Sequence, residues 1–335
     1  MVATIVDVAH KAGVSIATVS RVIHGSTLVH PTTRARVEQA MAELGYTPNV
    51  VARGLVTRRT QAIGLVITSL ADPFFPPIVQ AIEETALDHG YSVFLCTSSN
   101  DPAREIAVVR QLRERRVDAI IVAASRVGSL YHAHLEDIKV PLVLINNEQS
   151  GAYTYSVGTD DVAGGRLATN YLLALGHRTI GYIHGPLVKQ STQDRYRGYE
   201  LTLGERGMKP DPRLVAAGDG QAAGGQKAMH ELLQRQPRPT AVFCFNDATA
   251  IGALRAVRAA GLSVPGDISI IGYDDIAFAA YTEPPLTTVA QQTHELGRRA
   301  MCLVLDLLAG KEVTSITLLP QLIERDSCAR CTHGE

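Results

Sequence analysis

Few residues in this chain are spaced for covalent or metal chemistry. Cys328 and Cys331 form a Cys-x-x-Cys pair with His333 close behind. A zinc site needs about four ligands, and the sequence offers no second pair. The pair therefore reads as part of a frayed tail, with an adventitious metal or redox role as the alternative. The other three cysteines, Cys96, Cys244 and Cys302, lie in apolar runs and read as small packed hydrophobes. His89, His177, His184 and His230 have no partner spacing that suggests catalysis. No Gly-x-Ser-x-Gly elbow, P-loop, Gly-x-Gly-x-x-Gly after the first strand, or His-Glu-x-x-His is present. The expectation is a protein that is not an enzyme, with no cofactor and no metal.

The chemistry that the spacing does support is nucleic-acid reading, in the run Thr4 to Ile23. Thr4 can cap a first helix, and Asp7 three residues on completes a capping box. Ile5, Val8, Ala9 and Ala12 recur at helical spacing, and Gly13 supplies the freedom a sharp turn needs. Ser15 caps a second helix with Val19, Val22 and Ile23 on its apolar face. Two short helices at a Gly-containing turn form a helix-turn-helix whose second helix enters the major groove; an ordinary helical hairpin is the other reading. After this motif, His24 to His30 is a loop broken at Gly25, and Pro31 opens a third helix that Gly45 ends. Asn49 can cap a short helix, Val50 to Val56, containing Ala52, Arg53 and Leu55. Alone in water that helix is marginal, so it forms only against a partner; a plain linker is the alternative.

Charge is distributed to match. Residues 1–60 carry seven Lys/Arg against three acids, and the remainder 25 against 30, beneath a net charge of -1. A basic arm on an acidic body suits a polyanion partner for the arm, although a solvated charged surface has the same composition. At 335 residues with 46% hydrophobic content there is ample core for two or three domains. The N-terminus lacks a basic region followed by an apolar run, no apolar stretch reaches the ~18 residues of a membrane span, and the cysteine count is odd. A cytoplasmic protein is expected.

From Gln61 the pattern changes to strands alternating with helices. Ala62 to Thr68 is a short apolar run of the doubly buried kind, and similar runs recur at 91–96, 118–123, 141–145, 179–183, 241–245 and 268–273. Helical patterns fall between them, including 130–138, and the last long one runs from Thr293 to Leu308 before an extended run at 315–319. Such alternation implies doubly wound parallel sheets, and about ten strands exceed one comfortable sheet, so two subdomains are expected. Ligands in these folds bind at the carboxyl ends of strands, favourably in a cleft between subdomains.

The chain resembles the LacI/GalR family of bacterial transcriptional repressors over nearly its whole length. The match is carried by Thr4 to Ile23, Leu44-Gly45-Tyr46-Thr47-Pro48-Asn49, Ala52-Arg53-Gly54-Leu55, Asp72-Pro73-Phe74-Phe75, Gly176-His177-Arg178, Arg195-Tyr196-Arg197-Gly198-Tyr199, Asn246-Asp247, Gly272-Tyr273-Asp274-Asp275 and Leu322 to Cys328. It implies a small all-α helix-turn-helix DNA-binding domain plus an α/β body of two doubly wound parallel-sheet subdomains, similar to type I periplasmic binding proteins. The resemblance implies a headpiece at 1–48, a hinge helix and linker at 49–60, an effector-binding and dimerisation body at 61–327, and a tail at 328–335. The body divides into an N-subdomain (about 61–160 and 291–319) and a C-subdomain (about 161–290 and 320–327).

The resemblance also assigns roles. Ile16 and Ala17 open the recognition helix, where they can meet thymine methyls but cannot hydrogen-bond a base. Arg21 can reach a guanine edge or a phosphate; Thr4, Ser15, Thr18 and Ser20 position the backbone. Leu55 sits where the family wedges a leucine into the minor groove, beside Asn49 and Ala52. His24 and His30 depart from the family's usual Asn and Ser, yet both can donate to a phosphate. In the body, Arg195 and Asp274 match the ligand-binding pair; Phe74 and Phe75 can cover an apolar ligand face, and Asp160, Lys189, Ser191 and Asn246 line the same cleft. A sugar-like effector fits this set, with a purine or organic acid as alternatives. The implied protein is a ligand-responsive repressor binding a near-palindromic operator as a homodimer. Only eight residues follow Ser327, too few for a tetramerising helix. A transport-type solute-binding protein is the alternative that the body alone would permit.

Overall fold

The computed structural model describes residues 3–47, 59–125, 140–147 and 154–331. The expected hinge helix with Asn49, Ala52 and Leu55, and the helical pattern at 130–138, lie outside the described residues.

The chain divides into two compact units, one of residues 1–62 with 116–118 and one of the remainder. In the first, α1 (Ile5–Ala12), α2 (Ile16–Ile23) and α3 (Pro31–Leu44) enclose Val8, Ala9, Ala12, Val19, Val22, Val29, Val37 and Ala40. The local chemistry is the expected one. Thr4 and Asp7 form the capping box, Ser15 caps α2 through the Thr18 amide, and Gly13 turns the chain at φ +63°. Arg34 holds the loop before α3 by donating to the Ser26 carbonyl at 2.6 Å.

The second unit contains two six-stranded sheets. The first is built from β1 (Ala62–Ile67), β2 (Ser92–Thr97), β3 (Ala119–Ala123), β4 (Leu142–Ile145), β5 (Thr154–Thr159) and β11 (Ile316–Leu318), in the order β11-β5-β4-β3-β1-β2. The second is built from β6 (Ile180–Ile183), β7 (Val215–Ala216), β8 (Ala241–Cys244), β9 (Ser269–Asp274), β10 (Thr287–Ala290) and β12 (Gln321–Ile323), in the order β12-β10-β9-β8-β6-β7. β3 pairs parallel with β1 and β4, and β9 with β8 and β10, while β12 runs antiparallel to β10. The chain passes from one sheet to the other at 159–161, 290–293 and 318–321.

Helices cover the sheets. α4 (Phe75–Asp88) and α10 (Thr293–Leu308) pack together on the first sheet, while α5 (Pro102–Glu114) follows its edge strand β2. On the second sheet, α8 (Ala222–Leu233) and α9 (Asp247–Ala259) bury one apolar cluster, and α6 (Asp161–Ala174) and α7 (Gln190–Glu205) bury another.

Three differences from the sequence reading have clear causes. β5, β10 and β12 carry no long apolar run: Thr-Tyr-Ser-Val-Gly-Thr and Thr-Thr-Val-Ala are stabilised as strands by their neighbours rather than by propensity. The tail is not frayed as far as Cys331. Ser327 Oγ donates to the Ile270 carbonyl and accepts from the Thr287 amide, Ala329 N donates to Ser269 Oγ, and Cys331 N donates to the Leu175 carbonyl. Burial pushes the Cys328 thiol up to about 12, the behaviour of a packed residue rather than of a redox or metal ligand. Of the three interior cysteines only Cys244 is fully buried; Cys96 and Cys302 are partly buried.

Candidate ligand cleft and nucleic-acid interface

A cavity of about 230 Å³ opens where strands of both sheets end. Its lining follows the carboxyl ends of β1 (Asp72, Phe74, Phe75), β3 (Ala124, Ser125) and β4 (Asn146, Asn147) in the first sheet. From the second sheet come residues after β6 (Val188 to Ser191), β8 (Phe245, Asn246), β9 (Asp274) and β10 (Gln291), with Arg195 from α7. Parallel strands pointing the same way leave loops and helix N-termini at one end, and that end is where an open α/β sheet binds ligands.

Arg195 is the fixed centre. Its Nε donates to Asp161 at 2.8 Å, and its Nη1 donates to the Phe245 carbonyl at 2.7 Å and to Asp274 at 3.4 Å. The guanidinium lies over the Tyr273 ring, 3.7 Å from its centroid. Burial works against its charge, but Asp161 and Asp274 outweigh it and raise the pKa further, so Arg195 is a permanent cation. The donors on Nη2 have no partner among the described residues. Helix packing makes this placement possible. A Cβ on Gly165 would collide with the Arg195 carbonyl, and one on Gly198 with the Val162 carbonyl, so α6 and α7 approach backbone to backbone. That approach brings Asp161 at the head of α6 to Arg195.

Asp274 ends β9 with φ +108°, a conformation that costs a non-glycine residue energy and is held by its surroundings. Burial pushes its carboxyl up to about 7, against the lowering effects of Arg195 and of Gln291, whose Nε2 donates to it at 2.6 Å. Behind it Asp247 is fully buried, accepting from Thr288 Oγ1 and from the Ile276 amide, and burial together with the Asp274 charge raises its pKa strongly.

Of the residues anticipated for the cleft, Phe74, Phe75, Lys189, Ser191, Arg195, Asn246 and Asp274 line it. Phe75 is also deep in the first sheet's core, with Phe74 packed edge-on at 5.3 Å. Asn246 presents to the cleft while capping α9 through the Thr249 amide. Asp160 does not line the cavity: its carboxylate caps α6 through the Ala163 amide at 2.8 Å. Asp72, Ser125, Asn146, Asn147, Phe245 and Gln291 were not anticipated; their common signal is position just past a strand end, which needs strand boundaries to be read.

In the headpiece, Ile16, Ala17 and Arg21 are exposed on α2, and Arg21 has no partner among the described residues. Thr4, Ser15 and Thr18 are engaged in caps, Thr18 Oγ1 lying 2.9 Å from Ser15 Oγ. His24 departs from the phosphate-donor expectation. Its Nδ1 lies 2.6 Å from the Ser20 carbonyl, and its Nε2 is buried with no hydrogen-bond partner among the described residues. His30 is exposed, with Nδ1 2.9 Å from Thr32 Oγ1.

Residues 4–49 match the family described as bacterial regulatory proteins, lacI family, and residues 169–328 match a periplasmic binding protein-like domain. The HTH-type transcriptional repressor PurR of Serratia proteamaculans (strain 568) is 39% identical over 331 residues, covering 98% of this chain and 97% of that protein. Among solved structures, the lac repressor dimer bound to operator and the anti-inducer ONPF has a TM-score of 0.90 at 32% identity, covering 98% of this chain and all of that one. The transcriptional regulator CelR in complex with cellobiose has a TM-score of 0.74 at 34% identity, covering 97% of this chain and 99% of that one. The chain belongs to the lacI family of bacterial regulatory proteins, as a ligand-responsive transcriptional repressor and not an enzyme.

Proposed function

We propose that the chain represses transcription as a homodimer on a near-palindromic operator, in the cytoplasm, and that a sugar-like ligand in the cleft sets its affinity for DNA. Residues 1–48 read the DNA, 49–60 form the hinge, and the subdomains of 61–327 hold the ligand. A two-fold dimer requires a two-fold site. Ile16, Ala17 and Arg21 contact base edges, Ser15, Thr18, Ser20 and His30 position the backbone, and Leu55 wedges the minor groove.

The observation that carries the ligand class is the cleft lining. Asp72, Ser125, Asn146, Asn147, Lys189, Gln190, Ser191, Arg195, Asn246, Asp274 and Gln291 outnumber the apolar Phe74, Phe75, Ala124, Val188 and Phe245. Carboxylates, amides and hydroxyls together with a few apolar side chains suit a ring bearing many hydroxyls, each of which both donates and accepts. An organic acid is served less well, because Arg195 already has two carboxylates. The cellobiose complex of CelR supports the same class.

The test is thermal unfolding of the full chain with D-ribose, cellobiose and hypoxanthine as separate probes. A bound ligand stabilises by mass action, about 2.7 kcal/mol at 100 times its Kd. A sugar is expected to raise Tm in wild type and not in Asp274→Ala, which still binds a DNA duplex selected from a random pool by the wild-type protein. A rise with hypoxanthine alone would replace the sugar reading with a purine one.

A further inference from the structure

An unbroken set of hydrogen bonds crosses the cleft floor between the sheets. Asp161 accepts from Arg195, and Arg195 donates to Asp274. Gln291 Nε2 donates to Asp274 at 2.6 Å, while its Oε1 accepts from Asn146 Nδ2 at 2.8 Å. Asn146 Oδ1 accepts from the Thr159 amide at 3.1 Å. Thr159 and Asp161 flank the first passage of the chain between the sheets, so the set closes on itself. Gln291 sits in the second passage, and its neighbour Gln292 donates to the Leu319 carbonyl, in the third, at 2.7 Å.

The orientations are forced. The Thr159 amide can only donate, which fixes the Asn146 amide, which in turn leaves Gln291 donating to Asp274. Gln291 is 2% exposed, so an unmet partner would cost a buried polar group its hydrogen bond. Strained backbone stands at each end: Asn146 at φ +52°, Gln292 at +54° and Asp274 at +108°.

We propose that Gln291 is a positioning residue that fixes the angle between the two sheets' lobes, by tying Asn146 of the first lobe to Asp274 of the second. Glutamine is the side chain that accepts from one lobe and donates to the other at this reach. A ligand that hydrogen-bonds Asp274 or Asn146 competes with this tie or tightens it, and thereby changes the lobe angle. That consequence rests on the cleft being the ligand site; the tie itself does not, and it is tested without ligand.

The experiment places spin labels, through non-natural amino acids, at exposed Arg110 on α5 and exposed Lys227 on α8 of the full chain. Labelled protein is diluted into unlabelled so that only distances within one chain are read. Gln291→Met keeps the shape and removes both bonds; Asn146→Ala breaks the tie from the other lobe. Each variant is expected to shift and broaden the distance distribution, and the double variant to coincide with the singles, because the same link between the lobes is broken in all three. If Gln291→Met does not fold, Asn146→Ala alone carries the test. An unshifted distribution in a folded variant, or shifts that add in the double variant, would overturn the proposal.

Discussion

Arg195 is a cation whose charge is mostly used within the protein, on Asp161 and on Asp274. Asp274 is the less settled partner: burial raises its pKa to about 7, so folding holds its proton more tightly than the unfolded chain does. Stability from such a group is fully present below the unfolded carboxyl pKa, near 4, and is lost as pH rises towards about 7. Asp247, raised the same way, adds to the same slope. Asp274→Asn removes one of these two titrations from that window. Urea unfolding is expected to show the variant gaining stability relative to wild type between pH 5 and pH 8, by an amount on the order of 2 kcal/mol. An identical pH slope in the two proteins would mean that Asp274 stays ionised throughout.

At the scale of elements, the helices among the described residues were legible, as were the strands with an apolar run, whereas β5, β10 and β12 were not. The capping box of Thr4 and Asp7, Ser15 before α2 and Pro31 opening α3 are local signals, and the structure uses each as read. β10 and β12 have no such signal; they exist because they pair with each other and β10 with β9, information absent from any short window. The cleft follows the same divide. Arg195 and Asp274 could be read from motif resemblance, whereas Asn146 and Gln291, 145 residues apart, meet only once both sheets are built. Gly165 lies between these cases: an apparently poor helix residue whose reason is the Arg195 carbonyl facing it. Gly165→Ala should push α6 from α7 and destabilise the body by about 1–3 kcal/mol, the usual cost of overpacking. The urea midpoint checks this, and a stabilised variant would show that the helices can part at no cost.

At the scale of the molecule, the basic residues and the exposed face of α2 belong to one compact unit, and the cleft belongs to the other. Sequence charge anticipated that division: 1–60 is near +4 and the rest near -5. An acidic body gains little from a polyanion, so duplex affinity should reside in the first 60 residues and fall steeply with salt as counterions are released. Ile16 and Ala17 offer no hydrogen bond to a base, which shifts discrimination onto Arg21 and the expected wedge at Leu55. Leu55→Ala should therefore weaken binding to a selected duplex by about 1–3 kcal/mol while a scrambled duplex is bound as before. A chain lacking residues 1–60 should bind neither duplex, yet keep its Tm response to any sugar that stabilises the full chain. Fluorescence anisotropy over a salt series reads the first two quantities and thermal unfolding the third. Duplex binding by the truncated chain would move the nucleic-acid interface into the body and undo the division of labour argued from charge.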